Sequence, residues 1–177
     1  MIKINDFIIH RFTIYKSRRN NQGELTMITV REMMSSDLIT LSRFNSLSDA
    51  RNLMDAKQVR HILIVDDEGQ LLGLVSHRDI LARGISSQKY AEKEELDKIE
   101  SGILLSDIMT TKLISVTANL PIANAAKLIF TKKIGCLPVT DYKNKLVGII
   151  TDHDFVAITI QLLDIMAQEE PLDEGFN

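Results

Sequence analysis

Two short stretches of the sequence combine a hydroxyl and a carboxylate at a spacing that could bind a ligand. Ser76 precedes Asp79 by three residues, and Thr151 precedes Asp154 by the same interval. A strand that ends in Ser or Thr and leads into a helix presents backbone N–H groups and a hydroxyl to an anion, helped by the helix dipole. An Asp in the first helical turn offers two acceptor oxygens that fit the paired hydroxyls of a ribose. Both stretches therefore favour a sugar phosphate as ligand.

The same spacing also has a purely structural interpretation. A hydroxyl followed three residues later by an acid is a capping box, which satisfies backbone N–H groups at the start of a helix. One copy of the motif does not distinguish a cap from a ligand contact. The doubled motif favours at least one nucleotide site, and the two roles are not exclusive.

The motif is doubled because the chain repeats itself at an offset of 75 residues. Met34 aligns with Met109 at this offset, and the alignment needs no gap until past Leu81 and Val156. Gly73 and Gly148 precede the two motifs, and we expect each glycine to let a ring or sugar approach its strand. The alignment predicts two copies of one structural unit.

Each copy predicts the element order beta-alpha-beta-beta-alpha. Short apolar runs indicate strands, a 3.6-residue apolar stripe indicates a helix after Ser46 or Pro121, and polar turns join two hairpin strands. Ser46 and Asp49 are themselves predicted to form a capping box. The predicted strands are 38–41, 61–66 and 71–76 in the first copy and 113–116, 136–141 and 146–151 in the second, with short final helices from Asp79 and Asp154. Because neither copy can hide its own apolar faces, we expect an α/β (α+β) fold in which two pseudo-symmetric repeats pack as one pair.

The predicted division of the chain follows from this alignment. Residues 27–86 form the first repeat and 103–161 the second, joined by a charged linker, 87–102, that we expect to be partly helical and solvated. Residues 1–26 are a basic N-terminal appendage, and residues 162–177 an acidic tail whose end is expected to fray. Met27 stands just before the first repeat, so the sequence leaves open whether residues 1–26 are an upstream misread of the start.

Composition limits the partners of the protein. The 177 residues carry a net charge of −3, with a pI near 5.8, which disfavours nucleic acid and anionic lipid as partners. The lone cysteine, Cys136, fits a reducing compartment, and no apolar run is long enough for a membrane span or a secretory signal. We therefore expect a cytoplasmic protein.

The stretches 73–79 and 148–154 both follow the pattern Gly-apolar-apolar-Ser/Thr-x-x-Asp, which resembles the closing motif of cystathionine-beta-synthase (CBS) repeats. The resemblance covers about residues 28–160, and it implies dimers of repeat pairs with an adenine nucleotide bound between the halves. It also implies that the acids bind ribose, that the hydroxyls lie near ribose or phosphate, and that apolar strand residues flank the base. The residues implied in nucleotide binding are Ile39, Thr40, Arg60, His61, Ser76, Arg78, Asp79, Ile114, Ser115, Gly135, Cys136, Thr151, His153 and Asp154.

The two implied sites differ where a phosphate would lie. The resemblance places Arg60 and His61 beside the phosphates of the first site, where the second has Gly135 and Cys136. Charge-assisted contacts predict a charged nucleotide in the first site and a weaker, emptier or nucleoside-preferring second site. Arg60 is equally compatible with a solvated surface residue. Leu63 stands where the family often has proline, which puts the wall of the first pocket in doubt.

The leading hypothesis is a non-catalytic sensor whose ligand, AMP, ADP, ATP or S-adenosylmethionine, changes how the repeats pack and so biases a partner or an oligomer. The alternative is a structural oligomerisation module without a physiological nucleotide. Ser76, His77 and Asp79 are too close in sequence to act in series as a hydrolase triad, and the sequence has no Walker loop. The four histidines lack zinc-ligand spacing, so no metal is predicted.

Overall fold

The computed structural model describes residues 27–84 and 93–169. These residues form a mixed α/β structure with two small sheets, which confirms the predicted fold class. The helices are α1 (Val30–Met33), α2 (Leu47–Lys57), α3 (His77–Gly84), α4 (Lys93–Ser101), α5 (Ile122–Lys132) and α6 (Asp152–Glu169), with a 3-10 turn at Leu105–Asp107. The strands are β1 (Thr40–Leu41), β2 (His61–Val65), β3 (Leu71–Ser76), β4 (Cys136–Thr140) and β5 (Leu146–Thr151).

The first sheet has the order β1-β2-β3 and carries the first predicted motif at its edge. β1 runs parallel to β2, with Thr40 opposite Leu63, and β2 runs antiparallel to β3. The β2–β3 turn is held by Asp66, whose Oδ1 accepts hydrogen bonds from the amides of Glu68 (3.1 Å) and Gln70 (2.8 Å). This is the local side-chain-to-backbone bonding that makes Asp a turn former.

The second sheet contains β4 and β5 and repeats the same turn. Asp141 Oδ1 accepts from the amides of Lys143 and Lys145, each at 2.8 Å. The strand predicted at 113–116 is reduced to a single parallel bridge between Val116 and Val139. Pro138 explains the difference, because it has no N–H to donate to the next ladder position.

The two repeats are joined by exchanged backbone hydrogen bonds. The residues that precede one repeat form hydrogen bonds with the start of the middle helix, α2 or α5, of the other repeat. Each bond made by the first repeat has a counterpart made by the second repeat, at positions offset by 75 residues. The same exchange joins the tips of the two hairpins. The N–H to O=C bonds are Val30–Leu120 (2.8 Å), Ile122–Ile28 (2.9 Å), Leu105–Asn45 (2.8 Å), Leu47–Ile103 (2.9 Å), Leu71–Asn144 (3.1 Å) and Leu146–Gly69 (3.0 Å).

The described residues divide into two compact units, and each unit takes segments from both repeats. The larger unit contains residues 35–84, 93–118 and 138–149. Its main core joins α2, the first sheet and α3 through the buried side chains Leu47, Ala50, Met54, Ile62, Ile64, Val75, Ile80 and Leu105. The smaller unit contains residues 27–34, 119–137 and 150–169, and its buried apolar side chains include Val30, Ala125, Ile129, Leu137 and Ile150.

The middle helices begin as the sequence predicts. Ser46 caps α2, since its amide donates to Asp49 Oδ2 at 2.8 Å and its Oγ accepts from the Asp49 amide at 3.1 Å. Pro121 occupies the N-cap position of α5. Each helix ends on a residue in the left-handed region, Gln58 (φ 54°) or Lys133 (φ 53°), again at the offset of 75.

Gly73 has a different role from the predicted one. A Cβ at this position would lie 2.7 Å from Met109 Sδ and 3.1 Å from the Thr110 carbonyl oxygen. The missing side chain therefore admits Met109 of the second repeat against β3, and the space is filled by protein. Gly73 is needed for packing between the repeats.

The linker and the last helix also differ from expectation. Helix α4 packs against α2, and Glu100 is buried, so the described part of the linker is not simply solvated. Helix α6 has 18 residues and reaches Glu169, well into the predicted tail, because Ile158 and Ile165 continue its partly buried face. Residues 1–26, 85–92 and 170–177 lie outside the described residues. No helix in the described ranges is both long and apolar enough to span a bilayer.

Candidate nucleotide-binding site

The first candidate site is the corner where β3 passes into α3. The Ser76 amide and the Ser76 hydroxyl both donate to Asp79 Oδ2, each at 2.7 Å, and the Asp79 amide lies 3.3 Å from Ser76 Oγ. This is the capping box that the sequence leaves open as an alternative to ligand binding. It fixes the Asp79 carboxylate at the start of the helix, where the helix dipole favours negative charge.

The capping role uses only part of the Asp79 carboxylate. Both bonds from Ser76 end on Oδ2, and Oδ1 accepts no hydrogen bond from any residue of the described ranges. Asp79 is partly buried, so Oδ1 remains accessible to solvent or solute. A carboxylate held through one oxygen can offer the other to a donor such as a ribose hydroxyl.

β2 brings Arg60 and His61 to the same corner. His61 lies directly opposite Ser76 in the antiparallel ladder, and the His77 amide donates to the Arg60 carbonyl at 2.8 Å. Arg60 and Arg78 are exposed, and the His61 side chain is half-buried. We call Arg60, His61, Ser76, His77, Arg78 and Asp79 the first corner; it carries two guanidinium groups and one carboxylate.

The predicted base-flanking residues of the first site belong to the same sheet. Thr40 is the first residue of β1 and pairs with Leu63 of β2, two residues along the strand from His61. Ile39 directly precedes β1. Both side chains are partly buried. The structure thus places every residue predicted for the first site in one three-stranded sheet, directly before one of its strands, or in the helix that follows it.

The second corner repeats this backbone at the junction of β5 and α6. The Thr151 amide and hydroxyl donate to Asp154 Oδ2 at 2.7 Å and 2.9 Å, and the Asp152 amide donates to the Gly135 carbonyl at 3.0 Å. Each bond corresponds to one in the first corner at the offset of 75. We call Gly135, Cys136, Thr151, Asp152, His153 and Asp154 the second corner.

The second corner differs in charge. It contains two aspartates and no Lys or Arg, where the first corner has two arginines. Cys136 is a buried thiol; burial, and secondarily the charge of Asp152, raises its pKa to about 12. It is therefore a neutral apolar side chain at physiological pH and neither attracts an anion nor acts as a nucleophile.

The residues predicted to flank the second base directly precede Val116, which forms a parallel bridge with Val139 of β4. Ile114 and Ser115 are exposed and belong to the larger unit, whereas the second corner belongs to the smaller unit. The first predicted set therefore lies within one unit, and the second set is divided between two. In the described ranges, no three His, Cys, Asp or Glu side chains converge as a metal site would require.

Comparison with known protein families identifies the repeated unit of this chain. The family model for the CBS domain matches the chain twice, at residues 30–85 and 105–159. The chain belongs to the CBS-domain family. It is a tandem pair of CBS domains, which confirms the family resemblance of the repeated motif.

Solved structures with this fold are similar along most of the CBS pair. The protein named AcuB, for acetoin utilization, from Vibrio cholerae is 40% identical, with a TM-score of 0.67, over 82% of this chain and all of that one. The structure of CBSX2 in complex with AMP is 29% identical, with a TM-score of 0.63, over 76% of this chain and 97% of that one.

Curated relatives include both lone CBS proteins and larger enzymes. A CBS domain-containing protein of Dictyostelium discoideum is 28% identical over 77% of this chain and 94% of its own length. The inosine-5'-monophosphate dehydrogenase of Methanocaldococcus jannaschii is 26% identical over 71% of this chain but only 22% of its own length. The chain thus matches a module that stands nearly alone in some relatives and forms a minor part of others.

Two residues of the CBS pair matter at the corners although they were not predicted as site residues. His77 anchors the Arg60 backbone through its amide, and Asp152 acts on the Cys136 thiol through its charge. The alignment contains the signal, since His77 and Asp152 are equivalent at the offset of 75 but differ in charge. Comparison of aligned positions for charge would have found Asp152, whereas the contact of His77 is made by its backbone amide, which no side-chain pattern indicates.

Proposed function

We propose that this CBS pair is a non-catalytic regulatory module that binds an adenine nucleotide at the first corner. The observation that carries the proposal is the state of the Asp79 carboxylate, which is held by Ser76 through Oδ2 while Oδ1 has no partner in the described ranges. The similarity to CBSX2, whose structure contains AMP, supports an adenosine ligand for this chain.

The roles of the first-corner residues follow from their chemistry. Asp79 accepts hydrogen bonds from the ribose hydroxyls, and the partly buried Ile39 and Thr40 flank the base. Arg60 and Arg78, both exposed, supply charge-assisted contacts to phosphate oxygens. The first corner therefore takes AMP, ADP or ATP in preference to adenosine.

The second corner is proposed to take an adenosyl ligand without phosphates, or none. Asp152 and Asp154 repel a phosphate. Cys136 carries no charge that could offset this repulsion, because its raised pKa keeps the thiol neutral. An uncharged nucleoside or a cationic ligand such as S-adenosylmethionine meets no such repulsion.

We propose that ligand binding at the first corner affects the other repeat, because strand β3 of that corner contacts residues of the second repeat. Met109 packs on Gly73 of β3, and Leu74 exchanges backbone hydrogen bonds with Thr110 at 2.9 Å and 3.0 Å. A ligand that prefers one arrangement of these contacts shifts the population of arrangements and so reaches a protein partner or a second copy. A homodimer in the cytoplasm remains our expectation.

Titration calorimetry of the full chain with adenosine, AMP, ADP, ATP and S-adenosylmethionine tests the proposal. Asp79→Asn should weaken AMP binding by roughly tenfold or more, because Asn retains the capping ability but loses the charge. The chain offers a matched control in Asp49, which forms the same capping box with Ser46 at the start of α2. Asp49→Asn should leave the AMP affinity unchanged.

Three outcomes would contradict the proposal. If none of the five compounds binds, a structural oligomerisation module becomes the better description. If Asp79→Asn binds AMP as well as the original chain does, the nucleotide lies elsewhere. If Asp49→Asn and Asp79→Asn weaken binding equally, loss of a helix cap explains both effects and the carboxylate has no direct contact with the ligand.

A further inference from the structure

Met109 places its thioether sulfur against the main chain of strand β3. A Cβ added at Gly73 would lie 2.7 Å from Met109 Sδ and 3.0 Å from Met109 Cγ. The same side chain packs against the main core of the larger unit, as Leu72 of β3 also does. Because no side chain separates the sulfur from the strand, the side of the sulfur that faces β3 has no room for an added atom.

Met109 combines this packing role with access to solvent. It is partly exposed, whereas Met54 is 2% exposed and protected from small reagents. Met27 and Met166 are 76% and 65% exposed, so a change at either sulfur disturbs little packing. Oxidation of a methionine turns a flexible apolar side chain into a polar one and disrupts the core that it fills. Met109 is therefore both reachable and sensitive.

The backbone N–H groups beside Met109 are already used. The Leu74 amide donates to the Thr110 carbonyl at 3.0 Å, and the Thr110 amide donates to the Leu74 carbonyl at 2.9 Å. The Met109 amide donates to the Leu105 carbonyl at 2.8 Å. A sulfoxide oxygen is a strong acceptor, and burying it without a donor costs free energy. The oxidised side chain is therefore expected to leave β3 and turn toward water.

Strand β3 connects this contact to the first corner. Gly73 precedes Ser76 by three residues, and Ser76 ends the strand. The Ser76 amide and hydroxyl both donate to Asp79 Oδ2, each at 2.7 Å. A strand that loses packing close to its end opens more often, and its last hydrogen bonds open with it. Loss of Met109 from β3 should therefore loosen the capping box of the first corner.

We infer that Met109 is a site of reversible oxidation that weakens the first corner. The oxidant is a peroxide: its O–O bond breaks, an S–O bond forms at Met109 Sδ, the sulfur gives up two electrons, and the second oxygen leaves as water. A dithiol-dependent reductase reverses the step, since the sulfoxide oxygen leaves as water while two thiols become a disulfide. The effect on nucleotide affinity rests on the proposed function, and the effect on β3 does not.

Met34 supplies a matched comparison. It is the equivalent of Met109 at the offset of 75, and it is also partly buried. The residue after it, Ser35, exchanges backbone hydrogen bonds with Ile149 at 2.9 Å and 3.0 Å, as Thr110 does with Leu74. The variants Met34→Leu and Met109→Leu each keep one of the two methionines. Leucine has a similar volume and no sulfur to oxidise.

Hydrogen exchange in the full Met34→Leu chain, before and after treatment with hydrogen peroxide, tests the inference without a ligand. The Ser76 amide reports on the first corner, and the Thr151 amide, which donates to Asp154 Oδ2 at 2.7 Å, reports on the second. Once mass spectrometry shows that Met109 is oxidised, exchange at Ser76 should be roughly tenfold faster and exchange at Thr151 unchanged. In peroxide-treated Met109→Leu, Ser76 should keep its original rate.

Calorimetric titration with AMP gives a second readout. Oxidised Met34→Leu should bind AMP roughly tenfold more weakly, because affinity falls with the population of the binding-competent arrangement. Peroxide-treated Met109→Leu should bind AMP as before. Methionine sulfoxide reductase should restore the affinity of oxidised Met34→Leu. Dithiothreitol, which reduces oxidised cysteine but not a sulfoxide, should not restore it, and this separates Met109 from Cys136.

The inference is overturned if Met109 stays reduced in the folded chain while Met27 and Met166 are oxidised. It is also overturned if oxidised Met109 leaves exchange at Ser76 unchanged, or if Ser76 exchange rises equally in both treated variants. AMP binding that survives oxidation of Met109 contradicts it as well. A chain that never binds AMP but shows the expected change at Ser76 contradicts the proposed function and supports oxidation at Met109.

Partial oxidation of the original chain covers the case in which circular dichroism shows Met109→Leu to be unfolded. Across samples treated for different times, the exchange rate at Ser76 should rise with the fraction of Met109 that is sulfoxide. A rate that rises with the sulfoxide fraction of Met34 instead would overturn the inference.

Discussion

The first corner places Arg60 and His61 where the second has Gly135 and Cys136, yet both corners are held by the same backbone hydrogen bonds. The Arg60 carbonyl accepts from the His77 amide at 2.8 Å, and the Gly135 carbonyl accepts from the Asp152 amide at 3.0 Å. Geometry and charge are therefore set by different atoms. The main chain and the capping carboxylate build the corner, and the side chains beside it set the charge that the corner presents.

The middle helices of the two repeats differ in the same way. Arg51 of α2 donates from Nε to Glu100 Oε2 at 2.8 Å and pairs with Oε1 through a second nitrogen, whereas the equivalent position of α5 is Ala126. The Glu100 side chain is 2% exposed, and its hydrogen bond raises the pKa of Arg51. The linker helix α4 is thus bound to the first repeat by a bidentate ion pair that the aligned position of the second repeat does not provide.

The largest expected effect comes from this ion pair. Arg51→Ala leaves the buried Glu100 carboxylate without its cation, which typically costs about 3 kcal/mol or more. We expect the free energy of unfolding, measured by urea denaturation monitored by circular dichroism, to fall by about that amount. Lys57→Ala, an exposed cation at the end of the same helix, should cost less than about 0.5 kcal/mol.

A double variant sharpens the comparison between the repeats. Arg51→Ala with Glu100→Leu removes both charges and should recover much of the lost stability, because no buried carboxylate is then left without its cation. If the single and the double variants are equally unstable, the damage comes from packing at α2 and not from an uncompensated charge.

An intermediate effect is expected at the first corner. Arg60→Gly gives the first corner the residue that the second has at this position, and it removes a charge-assisted contact worth about 1.5 kcal/mol, or roughly a tenfold loss of ATP affinity. Adenosine affinity should not change, since adenosine has no phosphate. Calorimetric titration of both ligands against the original chain and the variant measures the difference.

Arg43 supplies the control for this substitution. It is also an exposed arginine of the first repeat, and its guanidinium stacks 4.8 Å from the ring centroid of Phe44. Arg43→Gly should leave ATP binding intact. Equal losses for the two variants would mean that overall charge attracts the nucleotide, and the proposed phosphate contact of Arg60 would then be wrong.

Much of this architecture could be predicted because local patterns encode it. The hairpin strands β3 and β5 have the predicted bounds, and the capping boxes at Ser46 and Ser76 form as their spacing indicates. Each of these features depends on residues that lie within a few positions of one another. Periodicity, turn residues and caps are read directly from such short stretches.

The features that could not be predicted depend on distant partners. Nothing in the residues around Ile28 indicates that they pair with Ile122, and Gly73 looks like a ligand-access glycine until Met109 is seen against it. Glu100 lies in a run of Lys and Glu that is typical of a solvated helix, and only its contact with Arg51 shows that it is buried. The ligand itself remains a prediction, since the corners are compatible with both a cap and a binding site.

The smallest expected effect concerns the capping box of α2, which the second repeat lacks. Asp49 corresponds to Asn124 at the offset of 75, so only the first middle helix begins with a titratable cap. Hydrogen bonds, first from the Ser46 amide and then from Asn45, hold the pKa of Asp49 below its ordinary value of 3.8. A group whose pKa is lower in the folded state adds stability above pH 3.8, and this contribution is lost as the pH falls through the folded value.

Asp49→Asn should therefore be less stable than the original chain at pH 7 by a few tenths of a kcal/mol, since the carboxylate is exposed and largely screened. This difference in stability should shrink as urea denaturation is repeated at successively lower pH below 3.8, because the stabilising contribution of the carboxylate is lost as the pH falls through its lowered folded value. Asn124→Asp adds a first-turn carboxylate to α5 and should gain a similar small stability at pH 7 and lose it in acid. If Asp49→Asn lowers the free energy of unfolding by the same amount at every pH, the cause is steric. The start of α2 would then gain no electrostatic stabilisation that the start of α5 lacks.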